Sequence, residues 1–466
     1  MKELIILYDD SRKPAPEIGA ITGRKSYGNI IFKRQSLMQR TRGKLLGLVN
    51  AGVFVSDPDE LAAVTTDAPL FKLYSDHEPV DTDAIEILFE KAKYIKENYS
   101  VECNGRIAAV MYPSLSAYYE QDDASNEDDY ERIRSEAFIS LADVNNFRTF
   151  ITSGFDARFF NALSGDEYVV VKSSDNVEKL RREYKYFTLL PPSMKQWYGT
   201  VFDYKEEGGH ASYSIERYHM TDLALRYVHG AISEEEFRDI CRVLFHFISI
   251  RKIRQVTDSE YDDNARSLYI DKVDERIRQL KELKGYARIR DYIAIGTDYD
   301  DIDDIVLRYK NLYLRITEGR RFEKVLTVAH GDLCFSNILY NHDVNLLKLI
   351  DPKGAETEDD LYMNPYYDIA KLSHSICGSY DYFNSDQYVI SMDSDMKLKL
   401  MVDSDNDRYI KIFYEYLSGN GIDPRLIRIY EASLFLSMLP LHMDRERKVL
   451  GFILNAIKIM DELEKN

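Results

Sequence analysis

Cysteine is scarce and scattered in this sequence. The four cysteines, Cys103, Cys241, Cys334 and Cys377, form no Cys-x-x-Cys pair. This spacing excludes a disulfide framework and disfavours a zinc site. We therefore expect reduced thiols in a cytoplasmic protein.

Long apolar runs and an excess of positive charge are also missing. The opening run from Leu4 to Tyr8 is too short for a signal peptide, and Asp9 and Asp10 follow at once. No apolar stretch is long enough to span a bilayer. The net charge of -18 disfavours a nucleic-acid partner, which would need a basic face. A cationic small molecule is compatible with that charge, as is an ordinary acidic surface.

The sequence does contain ample material for hydrophobic cores. Of its 466 residues, 45% are hydrophobic and 12% are aromatic, including 35 tyrosines. Such a composition excludes a disordered chain, and the length favours two or three domains. We expect most tyrosines to lie in cores and grooves, where the ring is apolar and the hydroxyl meets a polar partner.

The first 120 residues are predicted to form an α/β accessory domain. Leu4 to Tyr8 has the pattern of a buried strand, and residues 83–97 have the apolar spacing of an amphipathic helix. Residues 121–131 are predicted to be an acidic linker or exposed loop, because five of the nine residues from Gln121 to Asp129 are acidic.

Residues 132–218 are predicted to form a small β-rich lobe. Residues 219–466 are predicted to form a larger helical lobe, with a loop at 330–354 that carries the most specific motif of the sequence. Alternating apolar patterns predict the small-lobe elements in this order: strands at Phe147 to Ile151, Ala157 to Leu163 and Tyr168 to Lys172, a helix at Asn176 to Leu189, and strands at Gly199 to Tyr204 and Ala211 to Tyr218.

The most specific motif begins at His330-Gly331-Asp332, with Asn337 five residues after Asp332. A predicted hairpin then returns the chain to Asp351, so one amide oxygen and two carboxylates should converge. Phosphoryl transfer requires a positioned hydroxyl, a proton acceptor and a metal that bridges the phosphates. Asp332 suits the catalytic base, and Asn337 and Asp351 suit Mg²⁺, which prefers oxygen ligands.

The other half of an ATP site is predicted upstream. Lys172 ends an apolar strand, and Glu183 lies on the following helix, so an ion pair between them would aim the ammonium at the phosphates. Glu178 is the alternative partner. Ser153-Gly154 is a candidate loop over the phosphates, although it is poor in glycine.

The H-G-D-x-x-x-x-N motif with Asp351, extended by Tyr367-Asp368-Ile369-Ala370-Lys371-Leu372, resembles the aminoglycoside phosphotransferase and choline kinase superfamily. The resemblance covers roughly residues 145–460. It implies an α+β fold with a bilobal protein-kinase-like domain, ATP and Mg²⁺ as cofactors, and a small-molecule acceptor. We expect the smaller α/β domain to precede this one.

The resemblance also implies roles for further residues. Glu216 and Tyr218 fall in the segment that contacts adenine, while His442 and Asp444 fall near the acceptor wall. His330 and Asp368 are expected to give structural support to the catalytic loop.

The sequence departs from the family pattern after the metal-binding aspartate. Asp351 is followed by Pro352-Lys353-Gly354 rather than by Phe-Gly, and the proline stiffens this turn. No Ala-Pro-Glu activation segment is present, which disfavours a protein substrate.

The acceptor is less closely defined. Leu349-Ile350-Asp351-Pro352-Lys353-Gly354 and Ser437-Met438-Leu439-Pro440-Leu441-His442 resemble phosphotransferase-like proteins of capsule or surface-polysaccharide biosynthesis, which implies a sugar, polyol or amino alcohol. Two alternatives stay open: a non-catalytic nucleotide-binding pseudokinase, and a bifunctional protein with an N-terminal nucleotidyltransferase-like domain. Against the second, no glycine-rich phosphate motif follows the first strand. The sequence leaves the oligomeric state undetermined.

Overall fold

The computed structural model describes residues 3–23, 25–49, 51–120, 127–152, 161–165, 168–402 and 404–465. The chain divides into two compact units. The first comprises Met1–Asp156 and the short segment His229–Ala231, and the second comprises Ala157–Val228 and Ile232–Asn466.

The first unit alternates strands with short helices. Its strands are β1 Leu4–Asp9, β2 Ile31–Phe32, β3 Gln35–Ser36, β4 Gly52–Val55, β5 Leu70–Tyr74, β6 His77–Pro79, β7 Tyr99–Cys103, β8 Arg106–Tyr112, β9 Glu131–Arg134 and β10 Phe138–Ser140. Its α-helices are α1 Pro16–Thr22, α2 Leu37–Leu46, α3 Pro58–Ala62, α4 Thr82–Ala92, α5 Leu115–Tyr119 and α6 Val144–Thr152, and Tyr27–Asn29 and Glu127–Asp129 are 3₁₀ turns.

Six of these strands form one mixed sheet in the order β4-β1-β5-β8-β7-β9. Strand β1 pairs in parallel with β4 and β5, which requires the helical crossovers α1, α2 and α3 between them. Alternate residues of β1 enter separate cores on the two faces of the sheet. Leu4 and Ile6 pack with Phe89 of α4, whereas Ile5 and Leu7 pack with Leu115 of α5.

The second unit begins with strands and continues mainly as helices. Its strands are β11 Asn161–Gly165, β12 Val169–Ser174, β13 Val201–Glu207, β14 His210–Glu216, β15 Thr221–Asp222, β16 Ile253–Gln255, β17 Val325–Val328, β18 Ile338–Asn341, β19 Leu346–Leu349, β20 Tyr362–Met363, β21 Tyr388–Met392 and β22 Leu398–Val402.

Its helices include several long ones. They are α7 Val177–Leu189, α8 Pro192–Lys195, α9 Leu223–Val228, α10 Glu234–Ser249, α11 Asp258–Arg266, α12 Lys272–Glu282, α13 Tyr286–Gly296, α14 Ile302–Thr317, α15 Tyr367–Ile376, α16 Tyr380–Asn384, α17 Asp407–Gly419, α18 Pro424–Met438 and α19 Glu446–Lys465. Ser267–Asp271 is a π turn between α11 and α12, and Phe335–Asn337, Asp359–Leu361 and Leu439–His442 are 3₁₀ turns.

The small lobe is a four-stranded antiparallel sheet, in the order β11-β12-β14-β13, covered by α7. Asn176 caps α7 by accepting the backbone N–H of Lys179 at 3.1 Å. Leu180, Glu183 and Phe187 then fall on one buried face at three- and four-residue spacing. This spacing directs one carboxylate of the helix, that of Glu183, toward the sheet.

The large lobe positions a long loop between short strands. The loop starts after β17, which pairs with β16 and β20, and it continues into the β18–β19 hairpin. One hydrophobic core joins α7 of the small lobe to β17, β19 and α15 of the large lobe. A second core lies among α12, α14, α18 and α19. Within the described ranges, no helix combines the length and the apolar character needed to cross a bilayer.

The predicted fold class is confirmed: a bilobal protein-kinase-like α+β domain follows a smaller α/β domain. Residues 131–152, which were predicted to lie in the linker and the small lobe, group with the first unit. Strand β9 starts at Glu131 and pairs with β7, and β10 pairs with β6. Of the predicted acidic linker, residues 121–126 lie outside the described residues, whereas the Glu127 carboxylate pairs with Lys72 at 2.9 Å.

Two predictions of secondary structure are wrong, one in the predicted small lobe and one in the large lobe. The predicted strand from Phe147 to Ile151 is helix α6, in which Asp143 accepts the N–H of Asn146 at 2.8 Å. Phe147 and Ile151 are both buried four residues apart, which is a helical period. The hairpin β21–β22 interrupts a stretch predicted to be helical.

Glu78 provides a stability test for the first unit. Its buried carboxylate accepts from Arg40 at 2.9 Å and from Lys44 at 2.6 Å. We expect Glu78→Ala to lower the free energy of unfolding by about 2 kcal/mol, because two cations lose their partner but are exposed enough to rehydrate. Urea unfolding measures the loss, and hydrogen–deuterium exchange should assign it to β6 and β10.

The matched control is Glu90→Ala. Glu90 pairs with Lys93, but its side chain is 64% exposed, so little change is expected. Equal losses in the two variants would contradict a stabilising role for the buried Glu78 network.

Candidate active site

Lys172 is a buried cation held between two carboxylates. It lies on β12, opposite Tyr213 of β14, and its side chain is only 8% exposed. Its ammonium forms an ion pair with Glu183 of α7 and a second one with Asp351 Oδ1 at 2.8 Å. The Tyr213 hydroxyl donates to Glu183 at 2.6 Å. Burial alone would lower the pKa of Lys172, but Asp351 and Glu183 raise it above its usual value, so the ammonium stays charged.

The turn after β19 brings Asp351 to this cation. Asp351 adopts a left-handed backbone conformation with φ of 55°, which aspartate tolerates better than most residues. Gly354 has φ of +87°, and a Cβ there would lie 3.0 Å from the backbone carbon of Arg182. The backbone of Ala355 then donates to the Arg182 carbonyl at 2.9 Å. The Asp-Pro-Lys-Gly sequence therefore lets this turn lie directly against α7.

Asp332 and Asn337 are joined within the loop that precedes β18. The Asn337 side-chain nitrogen donates to the Asp332 carbonyl at 2.8 Å and to its carboxylate at 3.2 Å. The Ile350 backbone N–H donates to the Asn337 carbonyl at 3.0 Å, which places Asp351 next in the chain. The loop thus joins the side chains of Asp332 and Asn337, and the hairpin returns the backbone beside Asn337 one residue before Asp351.

The donor set fits a magnesium ion shared with phosphate. Among the described residues, no group of three or more His, Cys, Asp and Glu side chains gathers to hold a metal. Asn337 commits its amide nitrogen to Asp332, and its oxygen accepts no hydrogen bond from any described residue. The Asp351 side chain is 56% exposed and uses only one oxygen for Lys172. Two oxygen ligands with phosphate and water are typical of Mg²⁺ sites.

His330 lies fully buried beneath the loop in a neutral form. Its Nε2 bonds the Ile350 carbonyl at 2.9 Å, and its Nδ1 accepts the N–H of Asp332 at 3.2 Å. Burial lowers the pKa of His330, which agrees with one protonated and one unprotonated ring nitrogen. The ring also stacks on Tyr198 at a centroid distance of 6.0 Å. His330 therefore links the start of the loop to the end of the hairpin.

Helix α15 holds the loop through one face. Asp368 is fully buried and accepts the backbone N–H groups of His330 and Gly331, each at 2.9 Å. Arg251, itself buried, donates to the same carboxylate at 3.2 Å. Three residues on, Lys371 forms an ion pair with Asp332 at 2.9 Å. A further turn along, the Ser375 hydroxyl accepts the N–H of Phe335 at 3.0 Å.

Lys371, Ser375 and Arg251 contact the loop or its support without having been predicted from the sequence to do so. The spacing of Asp368, Lys371 and Ser375 is i, i+3 and i+7, which places them along one helical face. That period was present in the sequence and would have identified Lys371 and Ser375 as neighbours of Asp368. Arg251 is 117 residues from Asp368, and no local pattern connects them.

Of the remaining predicted residues, four lie within the described ranges and two lie outside them. Glu216 ends β14 and accepts from the Tyr218 hydroxyl at 2.8 Å. His442 is half-buried against the Phe452 ring, and Asp444 is exposed. Ser153 and Gly154 lie outside the described residues. The roles of these residues in binding stay predictions.

No protein-family model matches this chain, and no curated protein matches it. Similar solved structures are aminoglycoside phosphotransferases. A thermostable mutant of APH(4)-Ia with ADP and hygromycin B has a TM-score of 0.37 and 10% identity, covering 67% of this chain and 97% of that one. An aminoglycoside-3'-phosphotransferase of type VIII has a TM-score of 0.34 and 13% identity, covering 62% and 98%.

The streptomycin–ATP complex of APH(2")-IIa has a TM-score of 0.35 and 14% identity, covering 67% of this chain and 90% of that one. Because these TM-scores are low, the likeness carries no weight for function beyond the contacts described above.

Asp368 provides a direct test of how the loop is held. Asp368→Asn would place an amide against backbone N–H donors and leave the buried Arg251 without a counter-charge. We expect the free energy of unfolding to fall by about 3 kcal/mol, measured by urea unfolding. Asp359→Asn is the matched control, because its ion pair with Arg254 is exposed and should contribute little. Equally small losses would contradict the role of Asp368.

A buried histidine on α15 makes stability depend on pH. His374 stacks on Tyr380 and meets the Phe435 ring edge-on, each at a centroid distance of 4.2 Å, and neither ring nitrogen has a hydrogen-bond partner among the described residues. Burial, reinforced by Lys371, lowers its pKa well below the usual value. As pH falls below about 6.5, the unfolded histidine takes up a proton that the folded one refuses, so stability falls.

We expect His374→Phe to remove this contribution, which amounts to up to about 1.4 kcal/mol per pH unit. Urea unfolding at several pH values between about 7 and 5 measures it, and the difference between the two proteins cancels the effects of other titrating groups. Parallel pH profiles for wild type and variant would show that His374 is not held neutral.

Proposed function

We propose that the second unit is an ATP- and Mg²⁺-dependent phosphotransferase that transfers the γ-phosphoryl group to a hydroxyl of a small molecule. The observation that carries this proposal is the ion-paired set of Lys172, Glu183 and Asp351 beside the loop of Asp332 and Asn337. A purely structural site would not need a buried lysine shared by two carboxylates, since such groups are costly to bury.

The two lobes supply different parts of the proposed site. The Lys172 ammonium would bind the α- and β-phosphates, and its ion pair with Glu183 would hold it in position. Asn337 and Asp351 would hold Mg²⁺, which supplies charge neutralisation on the phosphates when bound. The nucleotide would thus contact the β-rich lobe and the metal loop together.

Asp332 would orient the acceptor hydroxyl. The hydroxyl oxygen forms a bond to the γ-phosphorus, and the bond from that phosphorus to the bridging oxygen breaks, with its electron pair leaving on ADP. The hydroxyl proton passes to the Asp332 carboxylate. The Asp332 side chain is 36% exposed, so an acceptor can reach it.

The acceptor is proposed to be a sugar, polyol or amino alcohol used in capsule or surface-polysaccharide biosynthesis. This assignment is supported by the resemblance of the Asp-Pro-Lys-Gly and Ser-Met-Leu-Pro-Leu-His segments noted above. The long helical stretch α10–α14 between Tyr218 and Asp332 would shape the acceptor pocket, and His442 and Asp444 are proposed to contribute to its wall. ATP as donor fits a cytoplasmic reaction.

The rival function is a nucleotide-binding protein without catalysis. The presence of Lys172, Asp332, Asn337 and Asp351 together disfavours it, because a binding module has no need of the base. Catalytic turnover separates the two functions.

The test is a screen of sugars, polyols and amino alcohols with Mg·ATP, in which mass spectrometry detects the gain of one phosphate. We expect Asp332→Asn to lower the turnover rate by about 10²–10⁴-fold while MgATP still binds, because only the proton acceptor is lost.

Glu90→Gln serves as the matched control, since that glutamate belongs to the first unit and its side chain is 64% exposed. Its turnover should equal that of the wild type. MgATP binding without turnover on any acceptor or water, in wild type and Asp332→Asn alike, would favour the binding module. Absence of nucleotide binding would reject the proposed function.

A further inference from the structure

Lys371 meets the carboxylate at the proposed transfer point. It lies on α15, and its ammonium is 2.9 Å from Asp332 Oδ1. The side chain of Lys371 is 11% exposed and that of Asp332 is 36% exposed. The ion pair is therefore sheltered at the lysine and open at the aspartate, where an acceptor would approach.

The hydrogen-bond donors of Lys371 are not used up by this ion pair. An ammonium carries three N–H donors. Among the described residues, Asp332 is the single side chain that accepts from Lys371. A nearly buried cation with spare donors is costly unless a further acceptor arrives. The remaining N–H donors of Lys371 are suited to binding an anionic group of a ligand beside Asp332.

The charges around the proposed site favour a phosphoryl oxygen as that acceptor. The γ-phosphoryl group and the Asp332 carboxylate are both negative, so they repel at close range. Lys172 is already flanked by Glu183 and Asp351, and in the proposed site it would meet the α- and β-phosphates rather than the γ-phosphoryl group. A second cation at Asp332 would offset the repulsion where the new bond forms.

We propose that Lys371 is a further catalytic residue, whose ammonium donates to a non-bridging oxygen of the phosphoryl group during transfer while it also contacts Asp332. This inference rests on the proposed function. The bonds made and broken are those already given: the acceptor oxygen bonds to phosphorus, ADP leaves with the electron pair, and the proton goes to Asp332. Lys371 stays protonated throughout. As Asp332 becomes neutral, the ammonium interacts more strongly with the phosphoryl oxygens.

The test uses MgADP with aluminium fluoride, which mimics a planar phosphoryl group and needs no identified acceptor. Isothermal titration gives the affinity of the full-length protein for MgADP with and without fluoroaluminate. In the wild type, fluoroaluminate should tighten MgADP binding. In Lys371→Met, MgADP alone should bind as in the wild type, but the tightening should fall by about 100-fold. Lys371→Arg keeps the charge and should retain part of the tightening.

Two further variants separate catalysis from support. Ser375→Ala removes the contact of α15 with the Phe335 backbone but no charge, so the tightening should persist. Lys458→Met removes an exposed lysine that pairs with Glu462 on α19 and should bind as the wild type does. If Lys371→Met does not melt cooperatively, Lys371→Gln takes its place, because it keeps an N–H donor for Asp332.

The outcomes distinguish this inference from the proposed function. Full tightening in the uncharged variant would mean that Lys371 only holds Asp332, and the inference would be overturned. A wild type that binds MgADP without any tightening would overturn it as well. A wild type that binds neither MgADP nor MgATP would instead reject the proposed function itself.

Discussion

The buried carboxylate of Asp368 fixes the loop on which the proposed chemistry depends. It holds two consecutive backbone N–H groups, at His330 and Gly331, and it neutralises the buried Arg251. Backbone groups buried without partners are costly, so this one side chain allows an irregular loop to lie inside the large lobe. Asp332 and Asn337 follow within the same loop, and their positions are set by that attachment.

A second constraint acts on the other side of the proposed site. The Lys172 ammonium joins α7 of the small lobe, through Glu183, to the turn after β19, through Asp351. Gly354, with φ of +87°, allows that turn to lie against the backbone of α7, where a Cβ would come within 3.0 Å of Arg182. Pro352 stiffens the turn after Asp351, so in the proposed site Asp351 would already be held beside Lys172 before a nucleotide binds.

The sequence predicted the parts of the site whose pattern is local. Asp332 and Asn337 lie in one short motif, and Lys172 and Glu183 lie on an adjacent strand and helix, so their pairing required only two element predictions. Long-range pairing was not predictable: β9 belongs to the sheet of the first unit through β7, and nothing within residues 131–134 specifies that partner. Helix α6 was mistaken for a strand because five residues are too few to separate the two periods.

The central claim is that Asn337 and Asp351 hold a metal that binds together with ATP. The most direct measurement is the affinity for ATP by isothermal titration, with Mg²⁺ and with a chelator, in the wild type and in Asp351→Asn. We expect the wild type to bind ATP tightly with Mg²⁺ and weakly with the chelator. Asp351→Asn should bind ATP weakly under both conditions. ATP affinity that is the same with and without Mg²⁺, or unchanged in the variant, would contradict the account.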